Sequence, residues 1–316
     1  INGEPEPVYS KLSVEPVLRM QLLALIASGV LKRYSDIESF FSKTLFAHQY
    51  GNANDVMKKV SKILKQLEAF SFITTERKAL MHDFVPAFDL DQDFKIAATP
   101  LGKRVSELYI DPLSAHHMIE FLKKNSDREF EYLATINSCL EMRPLCRARK
   151  KEYEDIESMI ETLGIEAPDV WDVDYETFVD QVKTAIVLND WMDEKSEDVL
   201  LDTYGIAPGE LYAKTKNAEW LLYAMSEVAK IVKTKAAANT ARKLLLRMHH
   251  GVKEELLKLV RIKGIGRARG RLLYNAGIQS GKDIKTAPLE TLEKIVGRKV
   301  AVLLKQEADR PPKKLR

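Results

Sequence analysis

The sequence predicts a mainly α-helical chain made of three successive parts. Apolar residues recur at helical spacing through most of its length. Only two short runs, Phe72–Thr75 and Phe94–Ala98, look like strands. The last segment, from about Gly251, is helical, punctuated by glycines and strongly basic. A length of 316 residues suits two or three domains, and 45% hydrophobic content is enough to fill their cores.

The first part covers residues 1–111. Val17, Leu18, Leu22, Leu25 and Ile26 line one helix between Val14 and Val30. Ser35 and Asp36 open a second, carrying Ile37, Phe40, Phe41 and Leu45. Asn54 and Asp55 can cap a third, with Val56, Val60, Ile63, Leu64 and Leu67 on its apolar face. The two strand-like runs follow, and Thr99-Pro100-Leu101 starts another helix with Pro in its first turn. Three helices and a two-stranded wing outline a winged-helix domain, whose third helix often reads DNA. Here that helix carries Lys58, Lys59, Lys62 and Lys65, which serve either that role or a solvated face.

Residues 112–250 read as a helical bundle, with helices starting near Pro112, Glu129, Glu152, Asp174, Glu197, Pro208 and Lys235. Turns at Leu163–Gly164 and Tyr204–Gly205 separate some of them. The helix from Pro208 to Val232 gathers Leu211, Ala218, Leu221, Leu222, Met225, Val228, Ala229 and Val232 on one face. Trp220 lies about 140° from the centre of that face. Its helical neighbours are Ala213, Lys216, Tyr223, Ala224 and Glu227. Such a Trp either stacks on nucleic-acid bases or packs against a neighbouring helix. The run Asp190–Glu197 reads as a solvated helix end.

Residues 251–309 carry the most specific motif. A helix ending at Lys263 meets Gly264-Ile265-Gly266, and a second helix then runs to about Ile278. This is a helix–hairpin–helix pattern. Its glycines permit unusual backbone geometry, and the N–H groups opening the second helix face an anion. Ile265 plugs the gap between the helices, and Lys263, Arg267, Arg269 and Arg271 surround a bound phosphate with charge. A weaker copy, with Arg298 and Lys299, occupies Ile295–Ala301. Asp283 caps the next helix; a catalytic Asp is the alternative. The basic tail, residues 310–316, is expected to be disordered.

Charge follows the same division. The chain is +3 overall, but residues 251–316 hold 17 Lys and Arg against 7 Asp and Glu, leaving the body acidic. A basic unit on an acidic body points to a polyanion partner for that unit. Cys139 and Cys146 match no zinc or disulfide pattern and read as semi-buried thiols in a reducing cytoplasm. The pairs His116-His117 and His249-His250 are adjacent, so neither shares one helix face as a metal clip. Gly277–Lys282 is one residue short of a phosphate-binding loop and lacks a preceding strand. No apolar run approaches the roughly 20 residues needed to span a bilayer. The polar opening, starting at Ile1, suggests a fragment or processed product.

Three stretches together resemble one family: Gly3–Leu12, Tyr204–Leu211 with Ala218–Leu221, and His250–Ile278. They are similar to the Hjm DNA helicases of archaea, superfamily II enzymes related to the helicase part of DNA polymerase theta. The resemblance implies two RecA-like ATPase domains before Ile1, then the three domains read above. It also implies ATP- and magnesium-dependent 3′→5′ unwinding of forked DNA in replication-linked repair. In such enzymes a long ratchet helix stacks a Trp on the translocating single strand; by motif this is Trp220. An Arg two turns earlier is replaced here by Ala213, with Lys216, or less well Lys214, as a substitute. The Arg267-Ala268-Arg269 run matches a final domain that grips the exiting strand and restrains the motor.

The expected role is therefore a DNA-binding helicase segment with no catalytic residue, cofactor or metal site of its own; ATP and magnesium belong to the parent enzyme. The expected partners are single-stranded and forked DNA, the RecA-like motor domains, and replication or repair proteins. The expected location is the cytoplasm, at the nucleoid. Two alternatives stand beside it: a module docking replication or repair proteins, and a helix–hairpin–helix repair enzyme.

Overall fold

A computed structural model describes residues 7–50, 53–76 and 93–308. The segment Gly3–Glu6 of the first family-like stretch and the basic tail 310–316 lie outside the described residues. The chain divides into two compact units, residues 1–124 with 227–234, and residues 125–226 with 235–316.

The first unit contains α1 (Glu15–Ala27), α2 (Tyr34–Phe41), α3 (Leu45–Tyr50), α4 (Ala53–Ala69), β1 (Ile73–Thr75), β2 (Ile96–Ala98), α5 (Pro100–Leu108) and α6 (Pro112–Lys123). The strands pair antiparallel, Ile73 facing Ala98 and Thr75 facing Ile96. α3 is an addition to the sequence reading, and α4 starts at Ala53, ahead of the expected cap. Asp36 does open α2: its carboxylate accepts the N–H groups of Lys32 and Arg33, each at 2.9 Å. Thr99 caps α5 by accepting from Gly102 N at 3.0 Å. Val56, Val60, Ile63, Leu64 and Leu67 of α4 are all buried, so its lysines face outward. Lys58 pairs with Asp55 and Lys62 with Glu15.

α6 clusters with this unit, although it follows the boundary expected near residue 111. A buried ion pair explains why. Arg19 of α1 donates to both oxygens of Asp111, at 2.7 and 2.8 Å, and both residues are almost fully buried. Asp111 also accepts from Leu113 N, capping α6. Bidentate geometry and a satisfied cap are what make a buried pair tolerable.

The second unit contains α7 (Glu129–Asn137), α8 (Tyr153–Leu163), α9 (Tyr175–Met192), α10 (Glu197–Tyr204), most of α11 (Pro208–Ile231), α12 (Lys235–His250), α13 (Leu257–Val260), α14 (Arg267–Asn275), α15 (Gly281–Thr286), α16 (Leu289–Val296) and α17 (Arg298–Ala308). The starts read at Pro112, Glu129, Asp174, Glu197, Pro208 and Lys235 fall within a residue of those observed. Gly164 and Gly205, both left-handed, end α8 and α10. Bundle and helix–hairpin–helix cluster together in this one unit.

Removing one partner of the buried pair strands the other charge. Asp111→Ala is expected to cost about 3–5 kcal/mol in urea unfolding. A loss below 1 kcal/mol would contradict the role given to the pair.

Candidate nucleic-acid interface

The helix–hairpin–helix grows from its core. Val252, Leu256, Leu259, Val260, Ile265, Leu273, Ile278, Ile284, Leu292, Ala301 and Leu304 are all buried. Ile265 is therefore the plug its position suggested. Gly264 takes φ +93°, open to glycine alone at little cost, and turns the chain so that Ile265 points inward. Gly266 does not need that freedom: its backbone is extended, at φ −98° and ψ −175°. It is the N-cap of α14, without a side-chain cap, and a Cβ there would meet open space. The first i→i−4 bond of α14 joins Gly270 N to Gly266 O at 2.8 Å, so the N–H groups of Arg267, Ala268 and Arg269 precede the ladder. The second hairpin repeats the pattern: Ala301 N bonds Gly297 O at 2.9 Å, with Gly297 at φ +82°. Arg298 and Lys299 beside it are exposed.

The arginines of α14, all expected to surround a phosphate, divide into two groups by their partners within the protein. Lys263 and Arg269 are exposed at the turn, with Arg269 Nη1 donating to Gly264 O at 2.9 Å. Arg271 faces the bundle. It donates to Glu194 at 2.8 and 2.6 Å and to Glu255 at 2.9 Å. Arg267 lies 4.8 Å over the Trp191 ring and donates to Lys195 O at 2.5 Å. Their α14 positions, four apart, place them on one flank, and that flank meets the end of α9.

The run Asp190–Glu197 is accordingly a joint and not a solvated helix end. Glu194 sits at φ +72°, and its carboxylate also accepts from Lys253 N at 3.1 Å. Burial pushes its pKa up, but the bonds from Arg271 and Lys253 outweigh this and hold it below the ordinary carboxylate value. Asp193 pairs with Arg247, Asp190 with Lys195 and Tyr204. Trp191 donates its indole N–H to Met248 O at 2.9 Å. Gly251 is required beside it: φ is +60°, and a Cβ would lie 2.6 Å from the indole. Sequence reasoning missed Trp191 and Glu194 because nothing local pairs them with residues some 60–80 positions away.

α11 presents the second cluster. Leu211, Ala218, Leu221, Leu222, Met225, Val228 and Ala229 are buried as the periodicity requires, but Ala224 and Ser226 are buried too. The outer stripe is Tyr212, Lys216 and Tyr223, with Trp220 half-buried beside them. Lys216 pairs with Glu219 at 2.8 Å and lies 5.6 Å over the Tyr212 ring. Lys214 is ruled out as a strand contact: it is 4% exposed and donates to Met142 O. Glu219 also meets His249 Nδ1 at 3.0 Å. Next to it, burial and the neighbouring His249 push His250 down to about 4.

Asp283 caps α15: it accepts from Gln279 N and Ser280 Oγ, both at 2.9 Å. Cys139 and Cys146 are both buried and are not joined by a disulfide. Among the described residues no group of three His, Cys, Asp or Glu could hold a metal, and no helix is long and apolar enough to cross a membrane.

Three family models match this chain in the order of these parts: a helix-turn-helix domain at residues 1–74, domain 4 of archaeal helicases at 130–251, and a SAM-like helix-hairpin-helix tandem at 254–310. The chain is similar to the ATP-dependent DNA helicase Hel308 of Methanocaldococcus jannaschii, 40% identical over 302 residues, 95% of this chain and 23% of the relative. The Methanococcus vannielii Hel308 is 35% identical, covering 95% of this chain and 43% of the relative. That of Thermococcus kodakarensis is 36% identical, over 94% and 26%. The chain's matches are to the Hel308-type helicases of archaea. It corresponds to the C-terminal part of such an enzyme and spans less than half the length of these relatives. The family resemblance read from the motifs is borne out.

Two measurements test this geometry. A double-mutant cycle on Glu194→Gln and Arg271→Ala should give a coupling of about 0.5–3 kcal/mol; additivity would dissolve the joint. The His250 ring should titrate near pH 4 by NMR. Its pKa is lowered on folding, so its contribution to stability is complete above about pH 6.5 and is lost as pH falls towards 4. A midpoint near 6.5 would show the ring to be solvated.

Proposed function

We propose that this chain binds and guides a DNA strand for a helicase motor, without chemistry of its own. The observation that carries the reading is the helix–hairpin–helix turn. An uncapped helix N-terminus stands open behind a Gly-Ile-Gly bend, flanked by exposed Lys263 and Arg269. Such a turn grips backbone phosphates and so binds independently of sequence. Arg298 and Lys299 extend it through the second hairpin. On α11, Trp220 would stack on bases of the translocating strand, with Tyr223 and Lys216 along the same stripe. Arg267 and Arg271 would fix the orientation of the clamp, and Gly264 and Ile265 its turn.

Forked DNA as substrate, RecA-like motor domains of the same protein as partner, and action at the nucleoid are parts of this reading. ATP and magnesium would act in those motor domains. The residues here do not fit them: Ser280 of the Gly277–Lys282 run caps α15, and the element directly before the run is the helix α14. The repair-enzyme alternative loses its candidate, since Asp283 is occupied as a cap. A docking role finds support in one feature, the loop before α9. There Trp171 is 93% exposed between exposed Val170 and Val173.

Fluorescence-anisotropy titration of single-stranded and forked DNA at two salt concentrations tests the proposal. The chain should bind, Trp220→Ala and Arg269→Ala should each weaken it, and the Arg variant should also flatten the salt dependence. Absence of binding by the chain, or indifference to both variants, would favour the docking role.

A further inference from the structure

The acidic body contains a dense basic stretch. Residues 143–151 hold five cations, Arg143, Arg147, Arg149, Lys150 and Lys151, and no acid. This stretch borders a cleft of about 1110 Å³ whose lining includes Arg143, Arg147, Lys150, Tyr153, Glu176 and Asp180. Among the described residues, the side chains of Arg143, Arg147 and Lys150 have neither an ion-pair nor a hydrogen-bond partner, and all three are exposed.

The backbone beneath them is held firmly. Cys146 N donates to Thr184 Oγ1 at 3.0 Å and Ala148 N to Asp180 Oδ1 at 2.7 Å. The carbonyl of Arg147 accepts from Lys183 Nζ at 2.8 Å, and Lys183 and Thr184 are buried in α9. Asp180 is thereby committed, which leaves Glu176 as the one carboxylate of the cleft outside this network. Upstream, the stretch is tied to α11. Asn217 Nδ2 donates to Glu141 O at 2.9 Å and Lys214 Nζ to Met142 O at 3.3 Å. Asn217 lies roughly 60° around α11 from Trp220 by helical geometry. The basic stretch therefore leaves α11 along a flank adjoining that of the Trp.

From this arrangement we propose a second phosphate-binding site: Arg143, Arg147 and Lys150 hold the DNA backbone of the strand that passes Trp220. The inference rests on the function proposed above and extends it to a surface outside both α11 and the helix–hairpin–helix. Unpaired cations on a fixed backbone suit a polyanion. Their charge is not neutralised within the protein, and ordering the loop costs nothing at binding. Exposed cations spaced along one stretch follow a backbone and read no bases, in keeping with sequence-independent passage.

The test is the variant Arg143→Ala/Arg147→Ala/Lys150→Ala, titrated with single-stranded DNA over a salt series beside the parent chain and Trp220→Ala. Each phosphate contact contributes about 0.7 to the log–log slope in single strands, so the triple variant should be shallower by about 2. Its thermal midpoint should stay close to the parent's, because the three side chains have no hydrogen bond or ion pair to lose. The charge-keeping variant Arg143→Lys/Arg147→Lys should retain the parent slope. An unchanged slope in the triple variant, while Trp220→Ala weakens binding, overturns this site and leaves the broader reading intact. Loss of polyglutamate binding with DNA binding unaltered also overturns it, in favour of an acidic protein segment. Failure of the parent to bind DNA removes both.

Discussion

The carboxylate of Glu194 is the point on which the second unit turns. It ends α9 in a left-handed conformation that costs a non-glycine residue on the order of 1 kcal/mol. In return its oxygens face Arg271 and the Lys253 N–H, so the bundle and the helix–hairpin–helix share one set of bonds. Arg267 over Trp191, and Asp193 with Arg247, reinforce the same corner. The helix–hairpin–helix is thus not a module on a flexible leash, and the open end of α14 is held within the same unit as the first part of α11.

That rigidity changes what the basic residues of α14 mean. A sequence shows that Arg267, Arg269 and Arg271 are charged and close together. It does not show that alternate members point in different directions with different partners. Arg269 stays at the turn, while its neighbours spend their charge on holding the domain in place. A cation that orients a binding surface and one that touches the ligand look identical in a linear motif.

Much of the fold was legible because its signals are local. Pro at Pro100, Pro112 and Pro208, and the cap at Thr99, mark helix starts by side-chain chemistry within a few residues. The burial of Leu221, Leu222 and Met225 follows from spacing alone. What stayed hidden depends on distant pairing. The acids of Asp190–Glu197 look like a solvated end until Lys195, Arg247 and Arg271 are brought to them. Lys214 and Lys216, two residues apart, look interchangeable until one is found buried against Met142 O and the other exposed. The Arg19–Asp111 pair is of the same kind, since it binds the start of α6 to a residue far earlier in the chain.

The placement of Trp191 has an optical consequence. The chain has three tryptophans in three surroundings: Trp171 almost fully in water, Trp220 half-buried on α11, and Trp191 under a guanidinium with its N–H bonded to Met248 O. The indole at the joint is therefore an intrinsic reporter. Any lifting of the helix–hairpin–helix from the bundle strips the cation from its ring and alters its emission, so the posture of the clamp is readable without a label.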